Sequence, residues 1–318
     1  MQFDKKAISE FLESAPSETA ESFYKAFKSA EGFIQYAEDH FNMEALGIEK
    51  MTDVLPMASE QVLSQSASRE NYQKYFCDRL QVVAEMLEIS RCGLGVTGHA
   101  GYIVKFLNTK IAVDPVFYLL DRETDKEELF KLLCTCDAVI TTHDHGDHYE
   151  ATLVDALSEF MPSFMPDFMG KEKKNTVFVK PGDEIDFKDV KLRFFESEHS
   201  SRTELVKEYG FAIEFEGKNY VFPIDVRAYK KPHAVFPNTE AVVLHLWLGR
   251  GAALNAHPEE MENFCDFANS FGAKKILISH LLDYKRDIQN MWSEVHFNMV
   301  KNKLKNSEVL KLGDWIKL

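Results

Sequence analysis

Thr142-His143-Asp144-His145-Gly146-Asp147-His148 follows directly on the apolar run Ala138-Val139-Ile140. A short β-branched run predicts a buried strand, and the polar cluster after it predicts the loop at the end of that strand. His143 and His145 are two residues apart, so an extended chain turns both imidazoles to the same side. The stretch therefore predicts a metal-binding loop at a strand end, with a solvated His/Asp loop as the alternative.

The second half of the stretch adds two further donors. Gly146 allows a sharp change of direction. Asp147 and His148 then offer a carboxylate and a third imidazole to the same ion or to a neighbouring one. Nitrogen and oxygen donors of this kind suit Zn(II), with Mn(II) and Fe(II) as alternatives, and they leave room for a water-bearing position.

Composition limits the classes of partner. The 318 residues, 45% of them hydrophobic, can form one large domain or two smaller ones, and we expect two. A net charge of −14 disfavours sequence-independent binding to nucleic acids or anionic membranes. The polar amino terminus has no apolar signal-peptide core, and no apolar run reaches the roughly 20 residues of a membrane span. We therefore expect a cytoplasmic protein without an integral membrane segment.

The histidine-rich stretch also matches, at every position, the H-x-H-x-D-H signature of the metallo-β-lactamase superfamily. The chain resembles that family over residues 93–318. The segment Gly98-His99-Ala100, a hairpin over residues 102–114 and then Asp114-Pro115 are similar to the opening of the branch that contains ascorbate-6-phosphate lactonase and N-acyl-phosphatidylethanolamine phospholipase D. The resemblance implies an α/β fold, an αββα sandwich of two mixed sheets between helices.

A two-metal site of this family needs three more ligands at the ends of other strands. His199, Asp225 and His280 each follow a predicted strand at the positions where the family has them. The resemblance implies two divalent ions that share a water and lower its pKa. The first ion is then held by His143, His145 and His199, the second by Asp147, His148 and His280, and Asp225 bridges them. Asp147 is also the expected catalytic residue, because it can orient the shared hydroxide.

Two other histidines compete for the last ligand position. His245 ends a predicted strand and His257 precedes a helix, but neither follows the helix and Gly-Ala-Lys-Lys segment that precede His280. His245 and Arg250 are instead candidates to face substrate, as are Arg227, Tyr284 and residues 161–175.

The first ninety residues predict a separate helical region. Apolar residues recur at helical spacing, and a helix is expected to open near Ser68. We therefore divide the chain into a helical region, residues 1–90, and a metal-dependent hydrolase domain, residues 91–318. The helical region is expected either to join two copies of the chain or to cover the site.

Three other features keep alternatives open. Residues 161–175, with Pro162, Pro166 and Gly170, predict either a substrate-facing lid or an ordinary surface loop. His99 is either a residue that orients a metal ligand or a hydrogen-bonded histidine in a tight turn. The five cysteines are too few for a disulfide framework, so Cys134-Thr135-Cys136 is expected to carry buried structural thiols rather than a metal or redox site.

Together these features predict a binuclear metal-dependent hydrolase. Its expected substrate is a small molecule with an ester, lactone or phosphodiester bond, and the branch resemblance points to a phosphorylated or lipid-derived compound. The rival hypothesis is a non-catalytic scaffold protein in which the helical region acts and the metal domain is vestigial.

Overall fold

The computed structural model describes residues 69–117, 123–170, 174–201, 204–229, 232, 234–249, 257–281 and 292–318. The expectations for the helical region fall on residues 1–68, outside the described residues, except for its last helix. Arg250 and Tyr284 also lie outside them.

The helices and strands agree in most places with the predicted ones. In chain order they are α1 (Arg69–Ile89), β1 (Gly93–Gly98), β2 (Gly101–Phe106), β3 (Thr109–Val113), α2 (Glu123–Leu133), β4 (Ala138–Ile140), α3 (Ala151–Ser158), β5 (Ser163–Pro166), β6 (Thr176–Val179), β7 (Glu184–Phe187), β8 (Val190–Ser201), β9 (Glu204–Phe215), β10 (Lys218–Ile224), β11 (Thr239–His245), α4 (Pro258–Ser270), β12 (Lys275–Ser279), α5 (Glu294–Lys301), β13 (Ser307–Val309) and β14 (Trp315–Ile316). Helix α1 lies in the region where the sequence predicted a helix that opens near Ser68; its predicted start falls outside the described residues. None of the helices in this part of the chain is long and apolar enough to cross a membrane.

The strands form two seven-stranded mixed sheets. The first has the order β14-β1-β2-β3-β4-β5-β6, and the second has the order β13-β12-β11-β10-β9-β8-β7. In the first sheet β3 to β6 run parallel, and in the second β10 to β13 do. The carboxyl ends of parallel neighbours lie at one edge of a sheet, so residues that follow these strands are brought together there.

Apolar layers hold the sheets and helices together. Side chains from both sheets share one buried cluster, which includes Tyr102 and Phe222. Helices α1, α2 and α3 pack on the first sheet, and helices α4 and α5 pack on the second. The expected αββα sandwich is therefore confirmed. Its buried aliphatic and aromatic side chains each stabilise the fold by about 1.5–3 kcal/mol relative to the exposed state.

The prediction of a loop over residues 161–175 was wrong in part. Ser163–Pro166 forms β5, which pairs in parallel with both β4 and β6. Phe164 and Met165 are buried, because β5 lies inside the sheet. Pro166 is the last residue of the strand, where its missing N–H interrupts no further pairing. A short 3₁₀ turn, Asp167–Met169, follows.

The prediction for the Cys-Thr-Cys segment was also wrong in part. Cys136 is buried in the layer between the first sheet and its helices, as expected. Cys134, however, is exposed at the end of α2. Burial raises the pKa of the Cys136 thiol to about 12, so this thiol stays protonated and unreactive.

Candidate metal centre

One group of donors gathers around the loop after β4. Potential ligand atoms of His143, His145, His199 and Asp225 all lie within 4.8 Å of one another. The ring centroids of His143 and His145 are 4.7 Å apart, and that of His199 lies 5.1 Å from the first and 4.8 Å from the second. All except His145 are buried. The three histidines are those that the family resemblance assigned to the first ion, and Asp225 is the residue that it assigned to the bridge.

His199 reaches this group from a position that we did not predict. It lies within β8 rather than at its end, because the strand continues to Ser201 and pairs His199 with Val206 of β9. The pairing of β8 with β9 thus continues past His199, whose imidazole lies beside the loop after β4.

A second group gathers at the carboxyl ends of β10, β11 and β12. Ligand atoms of His148, Asp225, His245 and His280 lie within 4.8 Å of one another, and all four residues are buried. Asp225 Oδ1 is 3.6 Å from His148 Nε2, 3.9 Å from His280 Nε2 and 2.5 Å from His245 Nδ1. Asp225 belongs to both groups, so the two potential ion sites have one carboxylate in common.

Asp147 lies beside the second group without belonging to it. Its Oδ2 is 3.5 Å from His280 Nε2, and its side chain is 20% exposed. Burial would raise the pKa of Asp147, but the hydrogen bond from His280 and the charges of His148 and His280 hold it well below its usual range. Asp147 is therefore a carboxylate at neutral pH, and its role as a ligand stays a prediction.

Backbone strain marks three of the strand ends that build the centre. Asp114 after β3, Ile224 at the end of β10 and His280 after β12 have positive φ angles of 42°, 68° and 62°. A non-glycine residue in this region costs of order 1–3 kcal/mol and persists only where its surroundings hold it. For Ile224 the cost is greatest, since its side chain is β-branched. The next residue, Asp225, belongs to both donor groups.

A buried carboxylate behind His148 was missed as a functional residue. Asp114 accepts hydrogen bonds from the backbone N–H of Thr142 (2.8 Å), from the Thr142 hydroxyl (2.6 Å) and from His148 Nδ1 (2.8 Å). This contact places the Nδ1 proton of His148 and leaves Nε2 directed at Asp225. A carboxylate at the end of a buried strand was the signal that could have found it.

A second buried carboxylate, Glu208 of β9, lies behind the first group. Its Oε2 is 3.4 Å from His143 Nδ1 and 3.3 Å from His199 Nδ1, and it accepts a hydrogen bond from the Asp225 backbone N–H (3.1 Å). Burial raises the pKa of Glu208, and the hydrogen bond that its carboxylate accepts from His199 offsets only part of this rise. Its sequence neighbours are polar, so no local pattern distinguishes Glu208 from a surface residue.

We expect Glu208→Gln to weaken metal binding at the first group. The amide cannot pair with two imidazole Nδ1 protons as a carboxylate can, and loss of such an orienting contact costs about 10–100-fold in affinity. Chelator competition measures the change. Glu196→Gln, on the exposed side of β8, is the matched control. Equal affinities for wild type and Glu208→Gln would contradict this role.

The donors fit divalent ions. His143 Nε2, His148 Nε2 and His199 Nε2 are buried and have no hydrogen-bond partner among the described residues. Each such atom costs about 1–3 kcal/mol when nothing pairs with it. Burial, and then the like charge of His148, lower the pKa of His143 well below its usual range, so its imidazole is neutral. Neutral imidazoles and carboxylates, here grouped around the shared carboxylate of Asp225, are suitable ligands for Zn(II), Mn(II) or Fe(II).

Three other residues were singled out in the sequence: Arg227 as substrate-facing, His257 as a rival metal ligand and His99 as a residue that orients a ligand. Arg227 Nη2 is 3.8 Å from Asp225 Oδ2, and its guanidinium lies 5.8 Å from the centre of the Trp247 ring. His257 is exposed at the start of α4 and belongs to neither group. His99 is buried in the turn after β1, and its expected effect on a ligand stays a prediction.

Comparison with known proteins agrees with the observed fold. Two solved structures have the same fold at a TM-score of 0.50. One is the metallo-β-lactamase fold protein YhfI from Bacillus subtilis, which is 14% identical over 71% of this chain and 99% of its own. The other is CmlA, a diiron β-hydroxylase from Streptomyces venezuelae, which is 13% identical over 72% of this chain and 54% of its own. This protein therefore has the metallo-β-lactamase fold.

A family model matches one part of the chain. Residues 94–242 match the family model described as a beta-lactamase superfamily domain. That match includes the histidine-rich stretch, His199 and Asp225, and it ends before His245 and His280. Curated protein sequences include no significant match to this chain.

Proposed function

We propose that this protein is a metal-dependent hydrolase that uses two divalent ions. The observation that carries the proposal is the shared carboxylate: Asp225 has a place in both groups of donors. The proposed ligands are His143, His145 and His199 for the first ion and Asp147, His148 and His280 for the second, with Asp225 between them. Two such ions, when bound, activate water and stabilise charge on an acyl or phosphoryl group.

Asp147 is the proposed catalytic carboxylate. It is ionised, partly exposed and next to His280, so it can accept a hydrogen bond from the attacking water as well as bind an ion. His143, His148 and His199 are buried and held by Glu208 and Asp114, which supports a role in binding rather than in proton transfer.

Arg227 supports an anionic substrate. Its guanidinium lies against Trp247 and next to Asp225, and its side chain is 22% exposed, so part of it remains open to a ligand. A guanidinium beside two ions favours a phosphate or carboxylate group on the bound molecule. We therefore propose a small ester, lactone or phosphodiester that is phosphorylated or lipid-derived, which agrees with the lactonase and phospholipase resemblance.

The test is hydrolysis by the Zn(II)-loaded protein. Bis(4-nitrophenyl) phosphate, a lactone and a carboxylic ester are offered to loaded protein, chelated protein and Asp147→Asn. We expect turnover that requires metal and that Asp147→Asn lowers by about 10²–10⁴-fold, the range for loss of a positioned acid–base group. Asp144→Asn, an exposed carboxylate in the same loop, is the control and should keep the wild-type rate.

Two results would contradict the proposal. If the fully metal-loaded protein shows no turnover that depends on Asp147, the result would favour the scaffold hypothesis. Turnover that requires Fe(II) and dioxygen and fails with Zn(II), which has no redox chemistry, would favour oxidation, the reaction that the name of CmlA describes for a protein of this fold.

A further inference from the structure

His245 is the one member of the two donor groups that the proposed ligand set leaves out. It is the last residue of β11, which lies between β10 and β12. Asp225 follows β10 and His280 follows β12, so the three residues leave adjacent parallel strands at the same edge. His245 is only 4% exposed.

The two ring nitrogens of His245 have different surroundings. Nε2 lies 2.7 Å from the hydroxyl of Tyr102, a fully buried residue of β2 in the opposite sheet. Nδ1 lies 2.5 Å from Asp225 Oδ1. The ring centroid is 4.7 Å from that of His280 and 5.6 Å from that of His148. Only Nδ1 is therefore directed into the second group.

We propose that His245 is an additional ligand of the second ion, through Nδ1, and that Tyr102 is its positioning residue. The inference rests on the proposed function, because it assumes that an ion binds there. A Tyr hydroxyl can donate or accept a hydrogen bond, so it suits a ring whose Nε2 gains the proton when Nδ1 binds a cation. Tyr102 would then fix the ring orientation as second-sphere partners of metal-bound histidines do.

The burial of His245 argues against the rival role of proton donor to a leaving group. A general acid must reach the reacting molecule within hydrogen-bond distance. The Nε2 edge is occupied by Tyr102, and the Nδ1 edge is enclosed by Asp225, His148 and His280. With His245 as a further ligand, the second group would hold its ion with more protein side chains than the first group would.

The experiment measures metal binding rather than activity. Full-length protein, His245→Ala, Tyr102→Phe and the exposed control His257→Ala are loaded with Zn(II), and chelator competition resolves the two affinities. We expect two ions in wild type and in His257→Ala. His245→Ala should keep the first ion and bind the second more than about 100-fold more weakly, beyond the range for second-sphere changes. Tyr102→Phe should weaken the second ion by about 10–100-fold.

Co(II) loading gives a second readout. A lost ligand changes the visible absorption of the second Co(II) in His245→Ala, whereas a lost proton donor leaves it unchanged. Wild-type affinity for both ions and an unchanged spectrum in a folded His245→Ala would overturn the inference. If that variant does not fold, unchanged binding in Tyr102→Phe would overturn it. Wild type that binds fewer than two ions would instead refute the proposed function, so the two failures are distinguishable.

Discussion

Replacing Asp225 by asparagine is expected to remove both ions and to abolish hydrolysis. Asp225 is the only residue shared by the two donor groups that the described residues form, so one substitution affects both sites. An amide has no negative charge to neutralise two cations, and the loss should exceed the about 100-fold effect of second-sphere changes at each site. Metal analysis after gel filtration and the hydrolysis panel measure the two effects.

A control separates this effect from damage to the fold. Asp225 is 7% exposed and contacts His148, His199 and His245, so its loss also changes buried pairing. Asparagine preserves the shape of the side chain, and circular dichroism shows whether the variant is folded. Asp186→Asn removes an exposed carboxylate of β7 and should change neither metal content nor rate. A folded Asp225→Asn that still holds two ions would contradict the shared role.

Removing the ions is expected to lower the melting temperature strongly. Each ion that binds only the folded state stabilises it by about 4 kcal/mol when free metal exceeds the dissociation constant 1,000-fold. At about 2–4 °C per kcal/mol for a domain of this size, chelation should lower Tm by about 8–16 °C for each ion removed. The physical reason is that the buried Nε2 atoms of His143, His148 and His199 have no hydrogen-bond partner among the described residues, so removal of the cations leaves them unpaired.

The effect of chelation should also depend on pH. Burial lowers the pKa of His148, but the negative charges and hydrogen bonds of Asp225 and Asp114 have the larger effect and hold this pKa well above its usual range. A proton on this ring competes with the ion, so the difference in Tm between loaded and chelated protein should shrink as pH falls. Thermal melts with and without chelator test both the fall in Tm on chelation and its dependence on pH. In Asp225→Asn, chelator should lower Tm no further, because this variant is expected to hold no ions. A melting temperature that stays constant while metal analysis shows that the ions are gone would contradict the prediction.

The sequence predicted the fold well where the pattern was local. The run Ala138-Val139-Ile140 became β4, and the hairpin expected over residues 102–114 became β2 and β3. The prediction of a loop was wrong for Ser163–Pro166. It rested on Pro162, Pro166 and Gly170, residues that are typical of loops. The pairing of β5 with strands on both sides outweighs that tendency, and such pairing depends on distant residues.

The residues of the candidate centre likewise fall into those that local sequence predicted and those that it did not. The spacing of His143, His145 and His148 after a strand by itself predicted metal-binding chemistry, and the family pattern added His199, Asp225 and His280. Glu208 could not be found this way: the register that pairs Ser197 with Glu208 puts its carboxylate on the same face as His199.

What the sequence determined alone was the kind of donor and, for the stretch after Ile140, its position at a strand end, since both follow from local spacing. Only the tertiary structure decided which donors share a carboxylate and which imidazoles have a buried partner. Asp225, His245 and His280 are far apart in the chain, and it is the parallel order of β10, β11 and β12 that brings them together. The contact of His245 with Tyr102 crosses from one sheet to the other, so it exists only once the sandwich has closed.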